Sequence, residues 1–171
     1  MFKFIAILLI FTSSTIIGFY QSGQLTRRRK LLVEYRDLLQ RLEAEMGYFK
    51  EPLPMILKKL QTGSNEPADL LLRQCLLQME TTKEPMDDIW KHAVKSAYEN
   101  EPVKPSDLDV FMKCGAFIGQ SDYQRQKGHF ELLRKDLSDR IEDAAAVCSI
   151  KGPLYSKAGI SVGAVLAIAL L

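Results

Sequence analysis

Apolar residues are distributed along this chain in two ways. At its two ends they run together: Phe4–Tyr20 holds no charged residue, and neither does Ala158–Leu171. Between the ends they recur every three or four positions, the spacing of one helix face. Leu31, Tyr35, Leu38, Leu42, Met46 and Phe49 form the first such stripe, widened by Leu32 and Leu39. Glu34, Asp37, Arg41 and Glu45 occupy its polar side. Pro52 and Pro54 end that helix and start a short one carrying Leu53, Ile56, Leu57 and Leu60, because proline fits only the first turn of a helix. Gly63, Ser64 and Asn65 mark a turn.

A third helix opens at Pro67 with Leu70, Leu71, Leu72, Leu76 and Met79. Pro85 opens a fourth. Asp87 and Asp88 stand in its first turn, where carboxylates offset the helix dipole, and Ile89, Trp90, Ala93, Val94, Ala97 and Tyr98 make its apolar face. Ser106-x-x-Asp109 reads as a capping box for a fifth helix with Leu108, Phe111, Met112, Phe117 and Ile118. Gly119-Gln120-Ser121-Asp122 breaks it. Ser121 is a good cap for the sixth and longest helix, whose stripe is Phe130, Leu133, Leu137, Ile141, Ala144 and Cys148. No alternating β-branched run is present, so the pattern predicts an all-α fold: an antiparallel bundle of about six helices. Its first and last helices lead directly into the apolar ends, so both ends of the bundle are expected to face the same side.

The apolar ends have the length of membrane anchors. The first segment, placed at 1–22, is at the short end of a span. Thr12, Ser13, Ser14 and Thr15 interrupt it, but hydroxyls bond back to the helix backbone and need not end it. A cleaved signal peptide is the rival reading, with Lys3 as a basic start and Thr12–Ser14 as a small-residue cleavage site. The second, placed at 154–171, follows a break at Gly152-Pro153; as a helix it reaches roughly 27 Å, against a hydrocarbon core of about 30 Å. Gly159, Gly163, Ala158, Ala164, Ala167 and Ala169 leave one of its faces small. Gly159-x-x-x-Gly163 is either a helix-packing face or part of an ordinary lipid-facing helix.

Charge assigns the middle a side. All the acidic residues lie between Glu34 and Asp143, and setting aside Lys3 and Lys157 leaves the middle neutral. A neutral domain has no general attraction for nucleic acid, so none is expected as a partner. Arg27, Arg28, Arg29 and Lys30 follow the first apolar segment, and Lys151 and Lys157 border the second. By the positive-inside rule these six flanking residues put the domain at 27–150 in the cytoplasm, with the bilayer as a contact of the basic run. Cys75, Cys114 and Cys148 are far apart and without metal spacing, which fits a reducing compartment and small core residues.

Little in the chain suggests catalysis. There is no phosphate loop, metal quartet or nucleotide fingerprint in the sequence. Ser121, Asp122 and His129 are the only constellation of note. Asp122 and His129 stand two turns apart, about 10 Å, too far for a direct bond, and the GxSxG elbow is missing. A helix cap beside a structural or surface histidine accounts for them, and no enzyme, cofactor or metal is expected. His92 is given no role. Gly115 and Gly119 need an offset for their helix cost of about 1 kcal/mol each, either close packing or contact with a partner. Glu45, Tyr48, Pro52 and Pro54 either fix a turn or present a surface.

Two stretches resemble the stage III sporulation protein AB family. They are Glu45-x-x-Tyr48-x-x-x-Pro52-Leu53-Pro54-x-x-Leu57, and Gly115-x-x-x-Gly119-Gln120-Ser121-Asp122 followed by Gln126, His129 and Leu132. Gly18-Phe19-Tyr20 matches in style, and the likeness covers nearly the whole chain; the second apolar end is shorter and richer in alanine than the family's pattern. The resemblance implies a subunit of a transenvelope complex between mother cell and forespore, set in the cell membrane by two spans on the mother-cell side. It implies a domain like that of the type II secretion F platform protein. A secretion-type ATPase of the same operon and other membrane subunits are the implied partners, with a homo-oligomer possible. It makes Glu45, Tyr48, Pro52, Pro54, Gly115, Gly119, Ser121, Asp122 and His129 the expected partner-binding or scaffold set. The rival is an exported helical binding protein or enzyme with a cleaved signal and a C-terminal tail anchor.

Overall fold

A computed structural model describes residues 2–48, 51–119 and 123–170. Among the described residues every regular element is a helix: α1 (Phe2–Tyr48), α2 (Leu53–Leu60), α3 (Pro67–Thr81), α4 (Met86–Tyr98), α5 (Pro105–Met112), α6 (Gly115–Ile118) and α7 (Tyr123–Leu170). The chain forms two compact units. One comprises residues 30–141, the other residues 1–29 and 142–171, so α1 and α7 contribute to both.

In the unit of residues 30–141 the helical stripes close on one core. Leu31, Leu38, Leu39 and Leu42 of α1, Leu57 of α2, Leu71 of α3, Val94 of α4 and Leu137 of α7 are fully or almost fully withdrawn from solvent. An aromatic cluster stands at the centre. Tyr35 stacks on Phe111 with ring centroids 4.0 Å apart, and Tyr98 tilts against Phe111 at 4.9 Å. Phe111 lies in the last turn of α5, so its carbonyl lacks a regular helical donor. Two side chains supply one: the Tyr35 hydroxyl donates to it at 2.6 Å and the Trp90 indole N–H at 3.0 Å.

Two expectations about this unit are corrected. The predicted fifth helix is two, α5 and α6, parted at Lys113–Cys114. Bonds of the i→i−3 kind, from Lys113 to Val110 and from Phe117 to Cys114, tighten the chain there. The tightening brings Gly115 against α4, where a Cβ would come within 2.7 Å of the Trp90 Cβ. The cap of α5 also lies earlier than Ser106-x-x-Asp109. Lys104 is the N-cap residue and Pro105 follows it. The Asp107 carboxylate accepts the Lys104 N–H at 3.0 Å, so only this half of a capping box forms, a lysine side chain having no acceptor to complete it.

Asp107 is completely buried, and its second oxygen meets Arg140 of α7 at 3.2 Å. Arg140 also holds Asp136 at 2.8 Å; burial works against its charge, but the two carboxylates prevail and raise its pKa. Glu43 of α1 pairs with Arg134 of α7 at 3.0 Å. A second buried carboxylate, Asp69, accepts the Thr62 N–H at 2.6 Å and fixes the α2–α3 turn.

Cys75 and Cys114 are buried; burial pushes the Cys75 thiol up to about 12 and the Cys114 thiol well above its ordinary value. An unfolded thiol deprotonates near pH 8.5. The folded state therefore holds protons that the unfolded state releases. This stabilisation is complete below about pH 8.5 and is lost as pH rises toward 12. Chemical denaturation should show the midpoint falling from pH 8 upward, more shallowly in a Cys75→Ala, Cys114→Ala variant. An equal slope in both proteins would refute the assignment.

In the unit of residues 1–29 and 142–171 the two terminal stretches pack as an antiparallel helix pair. Thr26 meets Cys148 at 3.4 Å, Ser22 lies against Gly152, and Phe11 lies against Gly163. The Ser14 hydroxyl donates to the Gly159 carbonyl at 2.8 Å. Thr12 and Thr15 turn their hydroxyls back to the carbonyls of Leu8 and Phe11, both at 2.9 Å, and the helix runs through them. The expected break at Gly152-Pro153 is not one, because α7 continues through Pro153. The proline lies exposed, away from the paired face, so the damage is confined to a lost backbone bond and the local ring contact.

Candidate functional site

The expected site residues fall into separate places. Glu45 is not a free surface charge: its carboxylate takes the Lys59 ammonium at 2.6 Å, which raises the Lys59 pKa and ties α1 to α2. Tyr48 is the last residue of α1, and Pro52 is the N-cap residue of α2 with Pro54 in its first turn. Pro52 also accepts the first helical N–H, from Met55 at 2.9 Å. These residues form the α1–α2 corner.

Gly115 and Gly119 form a second place. A Cβ on Gly115 would meet the Asp87 backbone at 3.1 Å, besides Trp90, and one on Gly119 would meet the Met86 Cβ at 3.1 Å. Both glycines let α6 approach the start of α4. Ser121 and Asp122 lie outside the described residues. His129, seven residues on, is exposed on α7 and stacks on Phe117 with centroids 5.2 Å apart. Phe117 in turn meets Phe130 edge-on, and buried Gln126 donates to the Phe117 carbonyl at 2.9 Å. A cavity of about 390 Å³ opens beside this stack, lined by Lys113, Ala116, Phe117, His129, Leu132, Leu133 and Asp136. Phe117 is the organising residue here. Its role was unreadable from its place in a helical stripe, because its contacts come from a different helix.

The basic residues flanking the apolar ends differ among themselves. Arg28 is buried, Arg27 half-buried, and Arg29, Lys151 and Lys157 are exposed in the terminal unit. Lys30 belongs to the bundle unit, where it meets Glu66 at 2.9 Å and Glu34 at 3.3 Å; hydrogen bonding to Glu66 and Glu34 raises its pKa. Among the described residues no group of His, Cys, Asp or Glu side chains is placed to hold a metal ion. None of the described helices is long and apolar enough to cross a membrane. The run Phe4–Tyr20 begins within residues 1–6, whose side chains lie outside the description.

The family profile of stage III sporulation protein AB matches residues 3–171. The chain belongs to this family. The stage III sporulation protein AB of Bacillus subtilis (strain 168) is 23% identical over 171 residues, covering all of both chains. A solved structure of a stage III sporulation protein AB superimposes with a TM-score of 0.66 and 23% identity, covering 72% of this chain and 97% of that one. That likeness supports the all-helical fold. The family name denotes a stage of sporulation and no reaction.

Proposed function

We propose that this member of the family is a non-enzymatic platform subunit, held in the cell membrane by its two apolar ends with its helical bundle in the cytoplasm. In this reading it serves a sporulation-specific, secretion-like complex between mother cell and forespore, and docks a cytoplasmic ATPase to the membrane subunits. The observation that carries the reading is where large apolar side chains meet the outside. Leu8, Leu9, Ile16, Ile17 and Phe19 on one terminal stretch are exposed, as are Ile150, Leu154, Val162, Val165 and Ile168 on the other. Small residues face inward, and no charge lies on Phe4–Tyr20 or Ala158–Leu171. Soluble proteins rarely leave so large a contiguous apolar surface bare, whereas lipid chains cover one without penalty.

The test is extraction and topology of the full chain. It should stay with membranes in alkaline carbonate, keep Met1 or Phe2 as its N-terminus, and expose its bundle to protease only from the cytoplasmic side. A start near Thr15 would favour the exported protein with a cleaved signal, and release by carbonate would end the anchor reading. Affinity capture of the full chain from detergent extracts should retain the ATPase of its operon; repeated failure under conditions that retain the membrane subunits would remove the docking role.

A further inference from the structure

Lys157 interrupts the apolar surface of the terminal pair. It is exposed on α7, with exposed Leu154 and Ile160 one turn to either side of it. The contacts of the pair fix its level. A Cβ on Gly18 would meet the Tyr155 carbonyl oxygen and the Gly159 Cα, and Lys157 lies between those two residues, so it is level with Gly18. From Phe4 to Thr26 α1 carries no charge, a length of roughly 34 Å, which matches a hydrocarbon core of about 30 Å. On the anchor reading Arg27 marks the boundary, and Lys157 stands roughly 13 Å inside it. Even a boundary at Ser22, which lies against Gly152, leaves Lys157 about 8 Å inside. A lysine side chain reaches roughly 6 Å, too little to bring its ammonium to the surface.

A charge at that depth is costly and is met by an opposite charge on protein. The acids nearest along the two helices, Glu34 and Asp143, are roughly 24 and 21 Å from that level. All the other acids lie between those two in the chain, so a second copy in the same orientation brings the same acid-free stretches and no carboxylate. Lipid phosphates stay at the bilayer surface, beyond the lysine's reach. Ser161, one turn on, is exposed on the same face. The hydroxyls of Thr12, Ser14, Thr15 and Ser156 bond to backbone carbonyls instead. An ammonium beside a hydroxyl offers two donors, which suits the two oxygens of a carboxylate.

We propose that Lys157, with Ser161 beside it, binds a carboxylate on a membrane-spanning helix of a different protein. The proposal rests on the anchor reading and gives the platform its contact with another membrane subunit. Two acceptor-labelled leucine–alanine peptides long enough to span a bilayer test it, one with glutamate at its centre and one with glutamine. Each is reconstituted with the donor-labelled full chain in phosphatidylcholine vesicles. Energy transfer should show the glutamate peptide associating about tenfold more tightly. Lys157→Ala should abolish that preference and Lys157→Arg should keep most of it, with the helical circular dichroism unchanged in both. Equal association of the two peptides, or a preference that survives Lys157→Ala, overturns the proposal. A preference lost when phosphatidylglycerol replaces half of the lipid would assign the lysine to lipid phosphate and overturns it too. Release of the chain by alkaline carbonate would end the anchor reading and this proposal together. A chain that stays in the vesicles without the glutamate preference ends this proposal alone.

Discussion

Replacing Trp90 with alanine should lower the stability of the bundle by about 3–5 kcal/mol, the range for a buried aromatic cut to a methyl. Trp90 is fully buried and is the chain's one tryptophan. Three losses combine in the variant. The ring's apolar area goes, a cavity is left beside the Phe111 carbonyl, and that carbonyl keeps only the Tyr35 hydroxyl as a donor. A domain of this size has a total stability of about 5–15 kcal/mol, so the variant should sit near the edge of folding. Guanidinium titration followed by circular dichroism measures the effect, since the fluorescence reporter is itself removed. Trp90→Phe separates the causes. It keeps most of the ring and loses the indole bond, so it should cost clearly less, with about 1 kcal/mol from the bond. If Trp90→Ala costs no more than Trp90→Phe, the packing account is wrong.

Trp90 also shows where reading the sequence stops. Its place on the apolar face of a helix opened by Pro85 follows from spacing alone, and so do the stripes of α1, α3 and α7. Those assignments hold because each rests on residues within one or two turns. The convergence of Trp90 and Tyr35 on one carbonyl was unreadable, since it depends on where α5 ends relative to two other helices. The burial of Asp107 had no signal in the sequence for a related reason: it stands in the first turn of α5, and Arg140, which meets it inside, comes from α7. Glu45 looked like a surface charge because its partner, Lys59, comes from another helix. The split between α5 and α6 was legible only in part. Gly115 and Gly119 signalled a close approach, but which helix they approach is fixed by tertiary packing.

The second large effect is expected at the terminal pair. Gly18→Leu or Gly159→Leu should separate the two end helices, because neither position has room for even one more carbon. A Cβ on Gly18 would lie 2.6 Å from the Tyr155 carbonyl oxygen, and one on Gly159 would lie 2.8 Å from that of Ser14. Both obstacles are backbone, which cannot swing aside as a side chain can. Forcing extra carbons into packed contacts costs about 1–3 kcal/mol, occasionally more, and the Ser14–Gly159 bond would be lost with the contact. On the anchor reading proposed above, helices in lipid have no hydrophobic drive to compensate, and association would depend on this close fit. Cysteines at Ser22 and Gly152, whose Cβ position lies 3.3 Å from the Ser22 hydroxyl, report on the pairing. In a background lacking the native cysteines, mild oxidation should join them in the parent chain and fail when Gly159→Leu is added. Gly23→Leu is the control. A Cβ at Gly23 meets nothing within 4 Å, so this equally large change should leave the cross-link intact. If Gly159→Leu cross-links as readily as Gly23→Leu, the glycine contact does not hold the two ends together.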